Sequence, residues 1–151
     1  MLSVELSDLE KHTGSLIGHS PWKTVTQKMI QAFADATGDH QWIHLDVERA
    51  RRESPWKSTV AHGFLTASLI PVLNQQVINV QGKSASINYG INKLRFPAAV
   101  KSGSAIRSKM ELMDVSRVDD QRTLAAYRTT VEIQGDDRPA CVAENLVMYV
   151  A

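Results

Sequence analysis

His62-Gly63-Phe64-Leu65-Thr66-Ala67-Ser68-Leu69-Ile70-Pro71-Val72-Leu73-Asn74-Gln75-Gln76-Val77-Ile78 contains no lysine, arginine, aspartate or glutamate. A helix that is apolar all the way round is a buried one, so this segment predicts a central helix that the rest of the chain must cover. Pro71 lies inside it. A proline at such a position removes a backbone donor and costs about 3 kcal/mol in a straight helix, so a kink or break is expected near Ile70.

Beyond the central segment, from Ser84 onward, the hydrophobic period becomes two. Ile106, Met110 and Leu112 alternate with Arg107, Lys109 and Glu111. Ala125, Tyr127, Val131 and Ile133 alternate with Arg122, Arg128 and Glu132. Half-buried antiparallel strands read this way. Gly135-Asp136-Asp137 marks the hairpin turn between the last two. In Ile87-Asn-Tyr-Gly-Ile-Asn-Lys-Leu-Arg-Phe-Pro97 the phase slips between Ile91 and Leu94, and a bulge near Asn92 reconciles the two halves.

Before the central segment the pattern is helical. Ser7–His12 reads as a short capped helix and Pro21–Val25 as a short strand. Thr26 can cap a helix from Gln27 to Thr37, in which Met29, Ile30, Phe33 and Ala36 recur at helical spacing and Gly38 supplies the left-handed stop. Asp46 can cap a further helix over 47–52, and Ser54-Pro-Trp-Lys-Ser-Thr59 is a loop. Helices followed by strands indicate an α+β domain with helices on one side of an antiparallel sheet.

The 151 residues, 43% apolar, suffice for one core and one domain spanning 1–151. Seventeen basic against 16 acidic residues leave a net charge of +1, which argues against nucleic acid or an anionic membrane as partner. The lone Cys141 forms no disulfide within the chain, the N-terminus carries acids rather than a basic region before an apolar block, and no apolar run approaches about 20 residues. A cytoplasmic location is expected.

Chemistry concentrates in Ala36-Thr-Gly-Asp-His-Gln-Trp-Ile-His-Leu-Asp46, which puts Asp39, His40, His44 and Asp46 just beyond a helix end. Asp39 and His44 are five apart, about 140° around a helix, and a turn at Gly38 can bring them together as an acid–base pair. The plain alternative is Asp39 as a cap and His44 as a satisfied, half-buried histidine. A metal reading, with His40 and His44 at i,i+4 and Asp39 or Asp46 as third ligand, ranks lower, because no Cys/His cluster or His-Glu-x-x-His pattern accompanies them. His62-Gly63 opens the buried helix, and a glycine there lets a ligand oxygen approach unpaired backbone N–H groups. No Gly-x-Ser-x-Gly elbow or Gly-rich phosphate loop occurs, and Cys141 has no neighbouring histidine.

Phe33-Ala-Asp-Ala-Thr-Gly-Asp-His-Gln-Trp-Ile-His-Leu-Asp46, followed by Val60-Ala-His-Gly-Phe64, closely resembles the hydratase motif of the MaoC-like, (R)-specific enoyl-CoA hydratases. The Gln-Trp-Ile variant and the later Ile87–Pro97 motif resemble the nodulation-protein-N-like branch. The likeness runs from about Thr13 to Tyr149. It implies a hot-dog fold, in which an antiparallel sheet wraps one central helix, and a homodimer with the ligand cleft at its interface. It also implies Asp39 and His44 as the catalytic pair, the Gly63 N–H on the thioester oxygen, and hydration of trans-2-enoyl-CoA to (3R)-hydroxyacyl-CoA in fatty acid metabolism. Coenzyme A is then part of the substrate, and no metal or other cofactor is required. Trp42 stands where many members have proline, and either shapes the acyl pocket or packs in the core. His62, Asn88, Asn92 and Arg95 are the further substrate-binding candidates, the last three alternatively outward residues of a bulged strand. A hot-dog thioesterase and a non-catalytic acyl-CoA binding module are the competing readings.

Overall fold

The computed structural model describes residues 1–151. The chain runs through β1 (Leu2–Glu5), a 3-10 helix (Leu6–His12), β2 (Leu16–His19), β3 (Lys23–Thr24), α1 (Gln27–Thr37), α2 (Trp42–Leu45), α3 (Val47–Glu53) and α4 (Gly63–Asn74). It then forms β4 (Ile78–Gln81), β5 (Ala85–Arg95), β6 (Ala105–Arg117), β7 (Arg122–Ile133) and β8 (Cys141–Val150). The main sheet is antiparallel in the order β2-β6-β7-β8-β5, with β3 also on β6, while β1 and β4 form a separate parallel pair.

The apolar segment is the central helix α4, packed across β6, β7 and β8. Leu65, Ile70 and Leu73 join Ile106, Val131, Cys141 and Ala143 in the larger core. Each buried leucine, isoleucine or valine among them contributes roughly 1.5–3 kcal/mol, which offsets the proline. Accordingly the backbone does not break at Ile70: it stays helical through Pro71 to Asn74, and the Gln75 N–H bonds the Pro71 carbonyl at 3.0 Å. A second core gathers Leu9, Val77, Val80, Leu112, Tyr127 and Tyr149 under the β1–β4 pair. A curved antiparallel sheet around one buried helix is the hot-dog fold, of the α+β class.

The local signals act as expected at α1, where the Thr26 hydroxyl accepts from the Met29 N–H at 3.2 Å and Gly38 adopts φ 80°. Asp46 caps α3 through the Arg49 N–H at 2.9 Å. The 3-10 helix occupies the site of the expected short helix but has no side-chain cap. Three short strands carry no sequence signal. β1 and β4 pair with each other from opposite ends of the first half of the chain, and β2 borrows its partner from β6. In β5 the register shifts at Tyr89 as well as at Asn92, so the strand carries two bulges where one was expected.

β5 is the edge of the main sheet and is exposed on both faces except at Leu94. Its Ile87, Tyr89 and Ile91, together with Phe64 of α4, leave an exposed apolar surface.

The core position of α4 makes opposite expectations for adjacent residues. Leu73→Ala, at a fully buried site, should lower unfolding free energy in urea by about 2–5 kcal/mol. Val72→Ala, on the half-exposed face, should change it by less than about 1 kcal/mol.

Candidate active site

The left-handed residue Gly38 turns the chain sharply out of α1, and the single turn α2 begins four residues later, at Trp42. His44, on the inward side of that turn, is 7% exposed. Its Nδ1–H donates to the Val60 carbonyl at 2.6 Å. The same two segments exchange a second bond, from the Val60 N–H to the Ile43 carbonyl at 3.1 Å. From α1, the Gln27 amide donates to the His44 carbonyl at 2.7 Å and accepts from the Thr59 hydroxyl at 2.6 Å. The turn that carries His44 is thereby tied both to α1 and to the segment that feeds α4.

A carbonyl only accepts, so the Val60 bond puts the His44 proton on Nδ1 and leaves Nε2 with its lone pair. His62 lies against it, the two rings stacked at 3.7 Å with an interplanar angle of 24°. The His62 Nε2–H donates to the Asp39 backbone carbonyl at 2.9 Å, and its Nδ1 is buried without a partner. A carboxylate oxygen of Asp39, a ring nitrogen of His44 and one of His62 lie within 4.8 Å of one another. Burial pushes the His44 pKa below 6.5, and the neighbouring His62 acts in the same direction; the Val60 carbonyl and Asp39 oppose them. His44 is therefore held as a neutral imidazole beside an exposed carboxylate.

Gly63 is the first residue of α4, and the His62 side chain does not cap the helix. The N–H groups of Gly63 and Phe64 thus have no acceptor within the helix, at its positive end. A Cβ on Gly63 would come within 2.9 Å of the Phe96 ring, so only glycine fits beneath that ring as it stands. His44 and Gly63 line one cleft of about 390 Å³, whose other walls include Trp56, Thr66, Phe96 and Arg138. These four carry no sequence pattern of their own: they come from a loop, the inside of α4, the end of β5 and the β7–β8 turn.

The structure thus brings together Asp39, His44, His62 and Gly63, but not all in the expected places. His62 is 3% exposed and stands behind Asp39 and His44, with no surface left for substrate. Trp42 is two residues from His44, about 200° around the turn. It therefore faces away from the cleft, under the Arg49 guanidinium at 4.2 Å, neither in the core nor on an acyl wall. Asn88 lines a groove between β5 and α4. Asn92 is an exposed bulge residue, and Arg95 is exposed with its guanidinium on the Leu94 carbonyl. The lower-ranked metal set also separates: His40 pairs with Asp35 at 3.0 Å, and Asp46 caps α3. Asp39, His44 and His62 do come within reach of a common ion, but the stacked His44 and His62 rings, 24° apart, aim their in-plane lone pairs nearly side by side, an arrangement that does not favour a shared ion. Cys141 is buried, which pushes its thiol up to about 11, so it offers no thiolate.

The profile described as "MaoC like domain" matches residues 8–134, and the chain belongs to that family. It is 48% identical over 146 residues to 3-hydroxyacyl-thioester dehydratase Z of Mycobacterium tuberculosis, covering 97% of this chain and 96% of that protein. It is 40% identical over 144 residues to nodulation protein N of Rhizobium leguminosarum bv. viciae, covering 95% and 89%. The solved (R)-hydratase from A. caviae involved in PHA biosynthesis superposes with a TM-score of 0.70 at 26% identity, covering 86% of this chain and 93% of that one.

The two histidines of the loop should have pKa values shifted in opposite directions. In a ¹⁵N-resolved NMR titration, His44 should stay an Nδ1–H neutral tautomer to below pH 6.5. His40, raised chiefly by its hydrogen bond to Asp35, should protonate above that value.

Proposed function

We propose that this protein adds water across the double bond of a trans-2-enoyl thioester to give the (3R)-hydroxyacyl thioester, and runs the reverse dehydration, in fatty acid metabolism. The observation that carries the reading is the neutral His44, whose ring lies within 4.8 Å of an Asp39 carboxylate oxygen and which lines one cleft with Gly63 at the start of α4. Both Nε2 and the carboxylate are acceptors, so they cannot bond each other, but a water can donate one hydrogen to each. Its oxygen lone pairs are then free to attack.

The water oxygen bonds to C3 as one of its protons passes to the Asp39–His44 pair, and the pair returns a proton to C2. One water is consumed and the side chains are regenerated. Asp39 acts as base toward the water and His44 as its hydrogen-bonding partner. Negative charge gathered on the thioester oxygen meets the Gly63 N–H, and loss of one such donor is typically worth about 3 kcal/mol. The (R) outcome follows the A. caviae relative. A general acid–base pair and a backbone donor supply what the step needs without a metal or redox group, and coenzyme A enters only as part of the substrate.

A second copy of the chain is the partner that this reading requires. The outer edge of β5 offers unpaired backbone groups beside exposed Ile87, Tyr89, Ile91 and Phe64, the combination that edge-to-edge pairing covers. The groove that Asn88 lines opens on the same face. Arg138, at the cleft with His44, suits a phosphate of the carrier.

Asp39→Asn and His44→Gln should each reduce hydration of crotonyl-CoA by about 10²–10⁴-fold, followed as loss of enoyl absorbance, with circular dichroism unchanged. The wild-type acid limb of kcat/KM should fall below pH 6.5, because His44 must be neutral. Release of free thiol in place of enoyl loss would identify a thioesterase instead. Ile91→Lys should shift sedimentation from dimer to monomer and lower activity with it; a wild type that sediments as a monomer would remove the partner from the site.

A further inference from the structure

The segment Asp39–Gln41 carries the carboxylate from α1 to α2, and little within it holds residue 39 in place. The Asp39 N–H reaches the Thr37 hydroxyl at 3.5 Å, and the Asp39 carboxylate meets the Gln41 N–H at 3.4 Å. Both bonds are local, and both are longer than the range of about 2.7–3.2 Å in which N–H···O bonds are strong. The short bond at Asp39 comes from a different element. The His62 Nε2–H donates to the Asp39 carbonyl at 2.9 Å, across 23 positions of sequence.

His62 is the N-cap of α4, where its carbonyl accepts from the Leu65 and Thr66 N–H groups at 3.1 and 3.2 Å. Serine, threonine, aspartate and asparagine prevail at such positions, because a short side-chain oxygen accepts from the first turn. The imidazole makes no such bond. Nor is it mere filler: the ring is 3% exposed and its Nδ1 is buried without a partner, a penalty that an apolar ring would not carry. What the imidazole adds at this position is a ring N–H that reaches Asp39. Two neighbouring rings keep it aimed. Phe33 packs on it at 4.9 Å with the planes 52° apart, and His44 stacks on it at 3.7 Å. His62 therefore touches the backbone of Asp39 and the ring of His44, and its own backbone leads directly into Gly63.

We infer, resting on the hydratase reading above, that His62 is a positioning residue for hydration: its bond to the Asp39 carbonyl and its stack on His44 set the spacing of carboxylate and imidazole and place both against the first N–H groups of α4. His62 itself meets no substrate. Its loss frees residue 39 to move about the left-handed turn at Gly38, and a displacement of about 1 Å at a reacting group is worth about 10²-fold in rate. His62 also helps to keep the His44 imidazole neutral.

Two variants separate the bond from the stack. His62→Phe keeps a ring and removes the donor, while His62→Gln keeps an amide N–H at the reach of Nε2 and removes the ring. His62→Phe should lower kcat for crotonyl-CoA hydration by about 30–100-fold with KM within about twofold, because positioning is felt in the transition state rather than in binding. His62→Gln should recover much of that loss, to within about tenfold of wild type. In both, the acid limb of kcat/KM should move to higher pH, because His62 no longer holds the His44 pKa down. A limb that stays at the wild-type pH in both variants overturns the influence on His44. With circular dichroism unchanged, wild-type kcat in His62→Phe, a loss confined to KM, or a His62→Gln enzyme no faster than His62→Phe overturns the inference. A ¹⁵N-resolved NMR spectrum of the wild type needs no variant: it should show His62 as the Nε2–H tautomer, and an Nδ1–H tautomer, which has no donor for Asp39, overturns the inference even if neither variant folds. A wild type that shows the Nε2–H tautomer but does not hydrate crotonyl-CoA overturns the hydratase reading, with the bond itself intact.

Discussion

The site depends on a short lacing of hydrogen bonds between two segments that neither helix nor sheet accounts for. His44 donates to Val60, Val60 donates to Ile43, and Gln27 bridges the His44 carbonyl to the Thr59 hydroxyl. Val60 and Ala61 are themselves anchored to Lys101 and Val100 beside β6. Because Thr59–His62 leads directly into α4, tying the histidine turn to it also fixes the imidazole relative to the first N–H groups of the helix. His44 and the first N–H groups of α4 thus share one rigid reference, as the proposed reaction, with its two simultaneous demands, requires.

That lacing also sets the state of the imidazole. An isolated His44 placed in this interior would face a desolvation cost for its charged form, and the Val60 carbonyl decides which nitrogen keeps the proton. His62 adds to the effect: stacked on His44 and bonded to the Asp39 backbone, it holds the two ends of the pair at a fixed separation. The exposed His40–Asp35 pair shows the contrast, since a histidine in water beside a carboxylate is moved the other way. Two histidines four residues apart therefore have different chemistry for reasons of burial and partner.

The buried helix has a comparable influence on the binding surfaces. Its inward face fills the core, and its other face forms, with β5, the wall of an apolar groove. β5 is left with exposed apolar side chains and an unpaired edge. The near-zero net charge agrees with this arrangement, because on the proposed reading recognition rests on shape, backbone donors and a few local cations such as Arg138.

Much was legible in the sequence because it is encoded locally. The uncharged run at 62–78 identified the central helix, alternation identified β6 and β7, and the Thr26, Gly38 and Asp46 signals set helix ends. The clustering of Asp39 and His44 was also local, five residues with a glycine turn before them. What only the tertiary structure decided are the relations between distant residues. The parallel β1–β4 pair, the outward turn of Trp42, the burial of His62 behind the pair, and the meeting of Trp56, Phe96 and Arg138 in one cleft have no local signature. The Asn74–Thr129–Asn145 chain spans two strands and a helix. A hydrophobic period states only which face is buried; which polar groups then meet, and which atom is left without a partner, follows from packing.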